Sequence, residues 1–120
     1  MNIYNELKKL DQYFSPRILG IVNDQYIKIA KIKGDDIPWH DHEKEDELFY
    51  IISGSLHMEI EAQDSFTMGP GDLYIVKKGI KHRVSALDEC SIMLIESKTT
   101  EHTGKVQSPI TKTIKQQHNG

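Results

Sequence analysis

Along residues 3–14, Ile3, Leu7 and Leu10 recur at helical spacing with Tyr4 and Phe14 close by, and Pro16 follows as a stop. This predicts a short amphipathic helix. From Arg17 onward the pattern changes to short aliphatic runs separated by turn residues: Ile18 to Val22, the pair Asn23 and Asp24, then Tyr26 to Ile32 ending at Gly34. That is a hairpin. Further strands are predicted at Glu47 to Ser53, Leu56 to Glu61, Ser65 to Met68, Leu73 to Val76, His82 to Ala86 and Ser91 to Glu96. Leu56, Met58 and Ile60 alternate with His57, Glu59 and Glu61, the period-two signature of a strand with one buried and one wet face. Strands this numerous and this closely spaced imply an all-β antiparallel sandwich or barrel.

After Ser97 the apolar pattern thins out. Residues 98–120 carry four lysines and one acid, and Val106, Ile110 and Ile114 fall four apart with Pro109 inside the pattern. This segment is read as a polar, extended or disordered tail appended to one domain over residues 1–97. The composition agrees: a 120-residue chain with 38% hydrophobic residues has enough core for one domain and not for two. The longest uninterrupted apolar run, Leu48 to Ile52, is far short of a membrane span, and the N-terminal residues lack the apolar stretch of a signal peptide, so a cytoplasmic protein without a membrane partner is expected. A net charge of −3 gives no footprint for nucleic acid. The single cysteine, Cys90, rules out an internal disulfide and any multi-cysteine metal site, which leaves nitrogen and oxygen ligands for a metal.

Such ligands are present. His40 and His42, one residue apart, project from the same face of an extended segment with α-carbons about 6.5 Å apart, close enough to share one ion. Glu47 opens a strand after a polar turn and His82 opens a later one, so both can reach the same point, although Glu43, Glu45 and Asp46 can each replace Glu47 on geometry alone. Three imidazoles and a carboxylate suit a divalent transition metal: iron, manganese, nickel, copper or zinc. Phe49 and Ile51 share strand parity with Glu47 and, with Met58, are expected to form an apolar wall beside it or simply part of the core. His57, His102 and His118 are read as exposed and non-ligating, and Cys90 as a small buried hydrophobe. Lys77, Lys78, Lys81 and Arg83 are read as a solvated basic rim before an anion site.

The stretch Gly34-x5-His40-x-His42-x4-Glu47-x6-Gly54, with Pro38 two residues before the first histidine, resembles the first motif of the cupin superfamily. Gly71-x7-Gly79-x2-His82 resembles the second, except that Lys77 stands where that motif has proline and Ala86 where it has asparagine. The resemblance covers residues 34–54 and 71–86 and selects Glu47 from the acidic stretch. It implies a double-stranded β-helix, or jelly-roll barrel, with His40, His42, Glu47 and His82 around one ion, and often a homodimer. It also implies a choice of functions, because the fold hosts many. The leading expectation is a metal-dependent, dioxygenase-like enzyme acting on a small organic molecule. The alternatives are a non-catalytic binder of a sugar or organic acid, or a metal-dependent isomerase, for which Tyr50 and His57 have the wrong strand parity to move protons.

Overall fold

The computed structural model describes residues 1–99, 104 and 112–119. Helix α1 (Ile3–Leu7) is followed by seven strands: β1 (Arg17–Val22), β2 (Gln25–Gly34), β3 (Glu47–Ser53), β4 (Leu56–Ile60), β5 (Phe66–Met68), β6 (Leu73–Val76) and β7 (His82–Ser97). Every strand pairing is antiparallel, in the order β1-β2-β7-β3-β6, with β4 joining β7 to β5. The fold is the expected all-β barrel. Alternation explains how it closes: Leu56, Met58 and Ile60 of β4 point inward to meet Phe49, Ile51, Val84 and Ile92 in one core cluster.

β7 is where the expectation of two strands fails. Its first residues pair with β4, and its later ones pair with β2 and β3, so a single 16-residue strand belongs to both sheets. Leu87, Asp88 and Glu89, which suggested an interruption, are exposed where the strand crosses between the sheets. Beside this crossing Gly54 turns β3 into β4 at φ +81°, and a Cβ there would lie 2.5 Å from the Glu89 carbonyl oxygen. Only glycine fits.

α1 is shorter than the pattern predicts. Leu7 and Leu10 cover Ile29 on the outer face of β2, but Phe14 takes φ 55° and its N–H donates to the Lys31 carbonyl (2.9 Å), which a continuing helix would forbid. Phe14 instead joins the inner core.

In the tail, residues 100–103, 105–111 and 120, with His102 among them, lie outside the described residues. Ile114–Asn119 forms a helix, α2, rather than extended chain. It starts beyond Pro109, and Gln117 on it is fully buried against β2. Among the described residues, no helix is long and apolar enough to cross a membrane.

Candidate metal centre

His40 lies just before β3, in an isolated bridge with the first residue of β7: its N–H donates to the His82 carbonyl (3.1 Å) and the His82 N–H donates back (2.9 Å). Their rings sit 4.5 Å apart, centroid to centroid. His42 follows on the same side of the chain, its carbonyl accepting from the Gly79 N–H (2.8 Å). Glu47 opens β3 with its side chain inward. All four are buried, and one donor atom from each lies within 4.8 Å of the other three. Two donors about 2.1 Å from one ion stand roughly 3.0 Å apart when adjacent on an octahedron and about 4.2 Å when opposite. The spacings of His82 Nε2 to Glu47 Oε1 (3.3 Å) and His42 Nε2 to Glu47 Oε2 (3.6 Å) suit adjacent positions.

The imidazoles are also set in a ligating form. His40 Nδ1 is 2.8 Å from the Pro38 carbonyl and His82 Nδ1 is 3.0 Å from that of Ile80. A carbonyl only accepts, so each Nδ1 carries the hydrogen and each Nε2 offers a lone pair. His42 Nε2 is buried with no hydrogen-bond partner. An orphaned buried nitrogen aimed at a carboxylate and two further imidazoles is a position that a bound cation would satisfy. The residues fit a metal.

The electrostatics favour the same state. Burial, helped by the neighbouring His82, lowers the His40 pKa to about 4, so its ring is neutral and free to ligate. Burial would lower His42 too, but the Glu47 carboxylate outweighs it and raises that pKa. Burial would raise Glu47, yet the adjoining Glu96 carboxyl and the His42 and His82 imidazoles hold it well below the usual carboxylate range. Burial and the charge of Glu47 push Glu96 well up, against the pull of Lys28.

Two of the other acids near Glu47, Asp46 and Glu45, are engaged elsewhere. Asp46 accepts from the Lys78 N–H (2.9 Å) with Lys77 Nζ 3.7 Å away, and Glu45 accepts from the Lys44 N–H (3.1 Å). The Asp46 contacts, with that of Gly79 to His42, pin the loop before His82, where Lys77 replaces the motif's proline. Ala86, in place of the motif's asparagine, is buried in the apolar cluster.

A cupin domain model matches residues 31–96, more than half of the chain. The chain belongs to the cupin family. This cupin is 28% identical over 99 residues to protein YdbB of Bacillus subtilis (strain 168), an alignment covering 82% of this chain and 84% of that one. Its barrel superposes on a cupin-2 domain containing protein from Shewanella frigidimarina NCIMB 400 with TM-score 0.77 and 33% identity, covering 81% and 93% of the two chains. Protein NMB1881 from Neisseria meningitidis gives TM-score 0.74 and 26% identity, covering 81% and 97%.

Inside the barrel, His40, Glu47 and His82 border a cavity of about 30 Å³ whose other walls include Phe14, Ile32, Ile37, Phe49, Val84 and Leu94. That is space for about two water molecules. Phe49 is thus a wall of the cavity, its ring edge-on to His82 at 6.0 Å. Ile51 and Met58 lie fully buried within the core cluster, away from the walls, which is the alternative allowed for them from sequence. Outside, a depression of about 360 Å³ between Asp41–Glu45 and Thr99 leads to His42 from solvent.

The remaining candidates sort by environment. His57 is half-buried rather than exposed and stands apart from the ligand cluster, while His118 is exposed. Cys90 is fully buried, and burial pushes its thiol up to about 11, as an inert core residue requires. Arg83 Nη2 donates to both carboxylate oxygens of Glu59 (3.0 Å each) and the guanidinium lies 5.2 Å from the Trp39 ring, so Arg83 is engaged by its neighbours rather than held free for an anion. Sequence reasoning missed Lys28 and Glu96. Their signal was available: both are charged residues at inward positions of apolar strands.

Proposed function

We propose that this cupin is a metal-dependent, dioxygenase-like enzyme acting on a small organic molecule, with His40, His42, Glu47 and His82 holding one divalent ion. The observation that carries the reading is the cavity beside the ligands. It is small, and the walls other than the ligands are apolar side chains: Phe14, Pro16, Ala30, Ile32, Ile37, Phe49, Val84, Ile92 and Leu94. Four protein ligands leave up to two octahedral positions open, and an apolar space for about two water-sized molecules suits a diatomic gas. A redox-active ion such as iron(II) would supply the reactivity; the chain's own contribution is to hold it, keep His40 neutral and exclude bulk water. The organic substrate would approach through the outer depression at His42.

The test is nitric oxide, a stand-in for dioxygen. The iron(II)-loaded chain is expected to give an iron-nitrosyl EPR signal, and a loaded chain that gives none has no open position and is not an oxygenase. A non-catalytic binder of a sugar or organic acid is the reading that would then remain.

The assembly proposed is a homodimer. β6 is the outermost strand of its sheet among the described residues, and Leu73 and Ile75 on it are exposed beside Tyr50 of β3. An unpaired, apolar edge of this kind invites a second copy.

A further inference from the structure

Lys28 and Glu96 occupy interior positions of β2 and β7, among Ala30, Ile32, Ile92 and Leu94, and are 1% and 2% exposed. Lys28 Nζ lies 2.6 Å from Glu96 Oε1. Glu96 is the register partner of Glu47 across β3 and β7, so the two buried carboxyl groups are side-by-side neighbours on one face of the sheet. On its other side Lys28 Nζ donates to Oε1 of Gln117, which is fully buried and is itself held by donating from Nε2 to the Lys112 carbonyl (3.1 Å). The Tyr26 ring lies 5.5 Å from the Lys28 ammonium and packs edge-on to His118. A continuous polar arm therefore runs from α2 through the barrel to a proposed metal ligand.

Such an arm is a poor way to stabilise a barrel, because the desolvation of a buried ion pair offsets its attraction and apolar residues of similar volume do as well. It has a better use. A carboxylate turns easily about its terminal bond, and the Glu96 side chain, held in place by Lys28, lies beside Glu47 and limits that turning while the Glu47 oxygens face His42 and His82.

We propose that Lys28 and Glu96 are positioning residues of the metal centre, that they orient Glu47 toward the ion, and that Gln117 completes the arm so that docking of α2 and metal binding are coupled. The inference rests on the metal-binding reading above. Coupling is reciprocal: whatever affinity α2 lends the ion, the ion returns as tighter docking of α2.

The test is titration of the metal-free full chain with cobalt(II), whose visible absorption reports ligand geometry, alongside Lys28→Met, Glu96→Gln and Gln117→Ala. The native chain binds one cobalt. Lys28→Met raises Kd by about 10- to 100-fold and changes the spectrum. Gln117→Ala moves both in the same direction by less. Glu96→Gln keeps the side-chain volume beside Glu47 and an acceptor for Lys28 and stays close to native. Loading with cobalt slows amide hydrogen exchange over residues 112–119 in the native chain and not in Lys28→Met. A merely structural arm would lower the melting temperature of the metal-free variants and leave spectrum and exchange alone. Native Kd and spectrum in both Lys28→Met and Gln117→Ala overturn the proposal. If Lys28→Met does not fold, Gln117→Ala decides, because it lies on α2 outside the sheets. A native chain that takes up no cobalt overturns the metal reading itself, and the proposal with it.

Discussion

His40 and His82 exchange both of their backbone hydrogen bonds although they lie 42 residues apart in the chain. The two rings are therefore set by main-chain pairing before any ion arrives, and each is fixed in rotation by its own Nδ1 bond to a carbonyl two residues earlier. Ligands prepared in this way lose little freedom on binding, which favours affinity.

Removing one ligand should therefore weaken binding without unmaking the barrel. His42→Ala or His82→Ala is expected to lower metal occupancy, and with it the melting temperature in the presence of metal. At a metal concentration about 100 times Kd the bound ion stabilises the native chain by about 2.7 kcal/mol, on the order of 10 °C for a domain of this size. Thermal melts of native and variant chains, with and without metal, check this. An unchanged metal-dependent shift in both variants would remove the ligand set.

The pH dependence follows from opposing shifts. His40 is lowered from 6.5 to about 4, so between these values the unfolded chain binds more protons and stability falls as pH drops through that window. Glu47, held well below 4.5, adds stability that is present above its unfolded value and lost as pH falls further toward its folded one. His42 is raised, so its contribution has the opposite sign: present below 6.5 and lost as pH rises through its folded value. Glu96, pushed well above its ordinary value, has the same sign as His42, so His40 makes the metal-free chain lose stability as pH falls from 6.5 toward 4 while His42 and Glu96 oppose the fall. Denaturant melts at stepped pH, native chain against His40→Asn, isolate the His40 share; the same pH profile in both would contradict the buried, neutral His40.

Proton competition for the ion should begin at His42. Its raised pKa means that it must release a proton to ligate where His40 is already neutral. Metal affinity should weaken as pH falls through the neutral range, and metal titrations in buffers of different ionisation enthalpy should show proton release. Binding without proton release would contradict ligation by His42.

Gly54→Ala is expected to destabilise the barrel by about 2 kcal/mol or more, since the added Cβ meets backbone at Glu89 and Cys90 and the residue must keep a positive φ. Chemical denaturation checks this. At the β6 edge, Leu73→Lys should convert a dimer to a monomer in sedimentation, and a native chain that already sediments as a monomer would contradict the proposed assembly.

What the sequence showed and hid follows from the same geometry. β4 was legible because Leu56, Met58 and Ile60 alternate with polar residues on a strand wet on one side. The ligand pair His40 and His42 was legible because extended chain repeats every two residues. In sequence β7 reads as two strands because its polar middle lies between sheets, a tertiary arrangement that leaves no mark on periodicity. Phe14 sat at a helical spacing yet serves the inner core, since a long-range bond to Lys31 overrides local propensity. Lys28 and Glu96 broke the alternation of their strands, and each means little until the fold places the other beside it.

Whether His40, His42, Glu47 and His82 hold one ion is decided by elemental analysis of untagged protein, purified without chelator under anaerobic conditions. About one transition-metal ion per chain is expected, iron or another redox-active metal for the enzyme proposed, and its loss in His82→Ala. Protein that carries no metal and takes none up on reconstitution would contradict it.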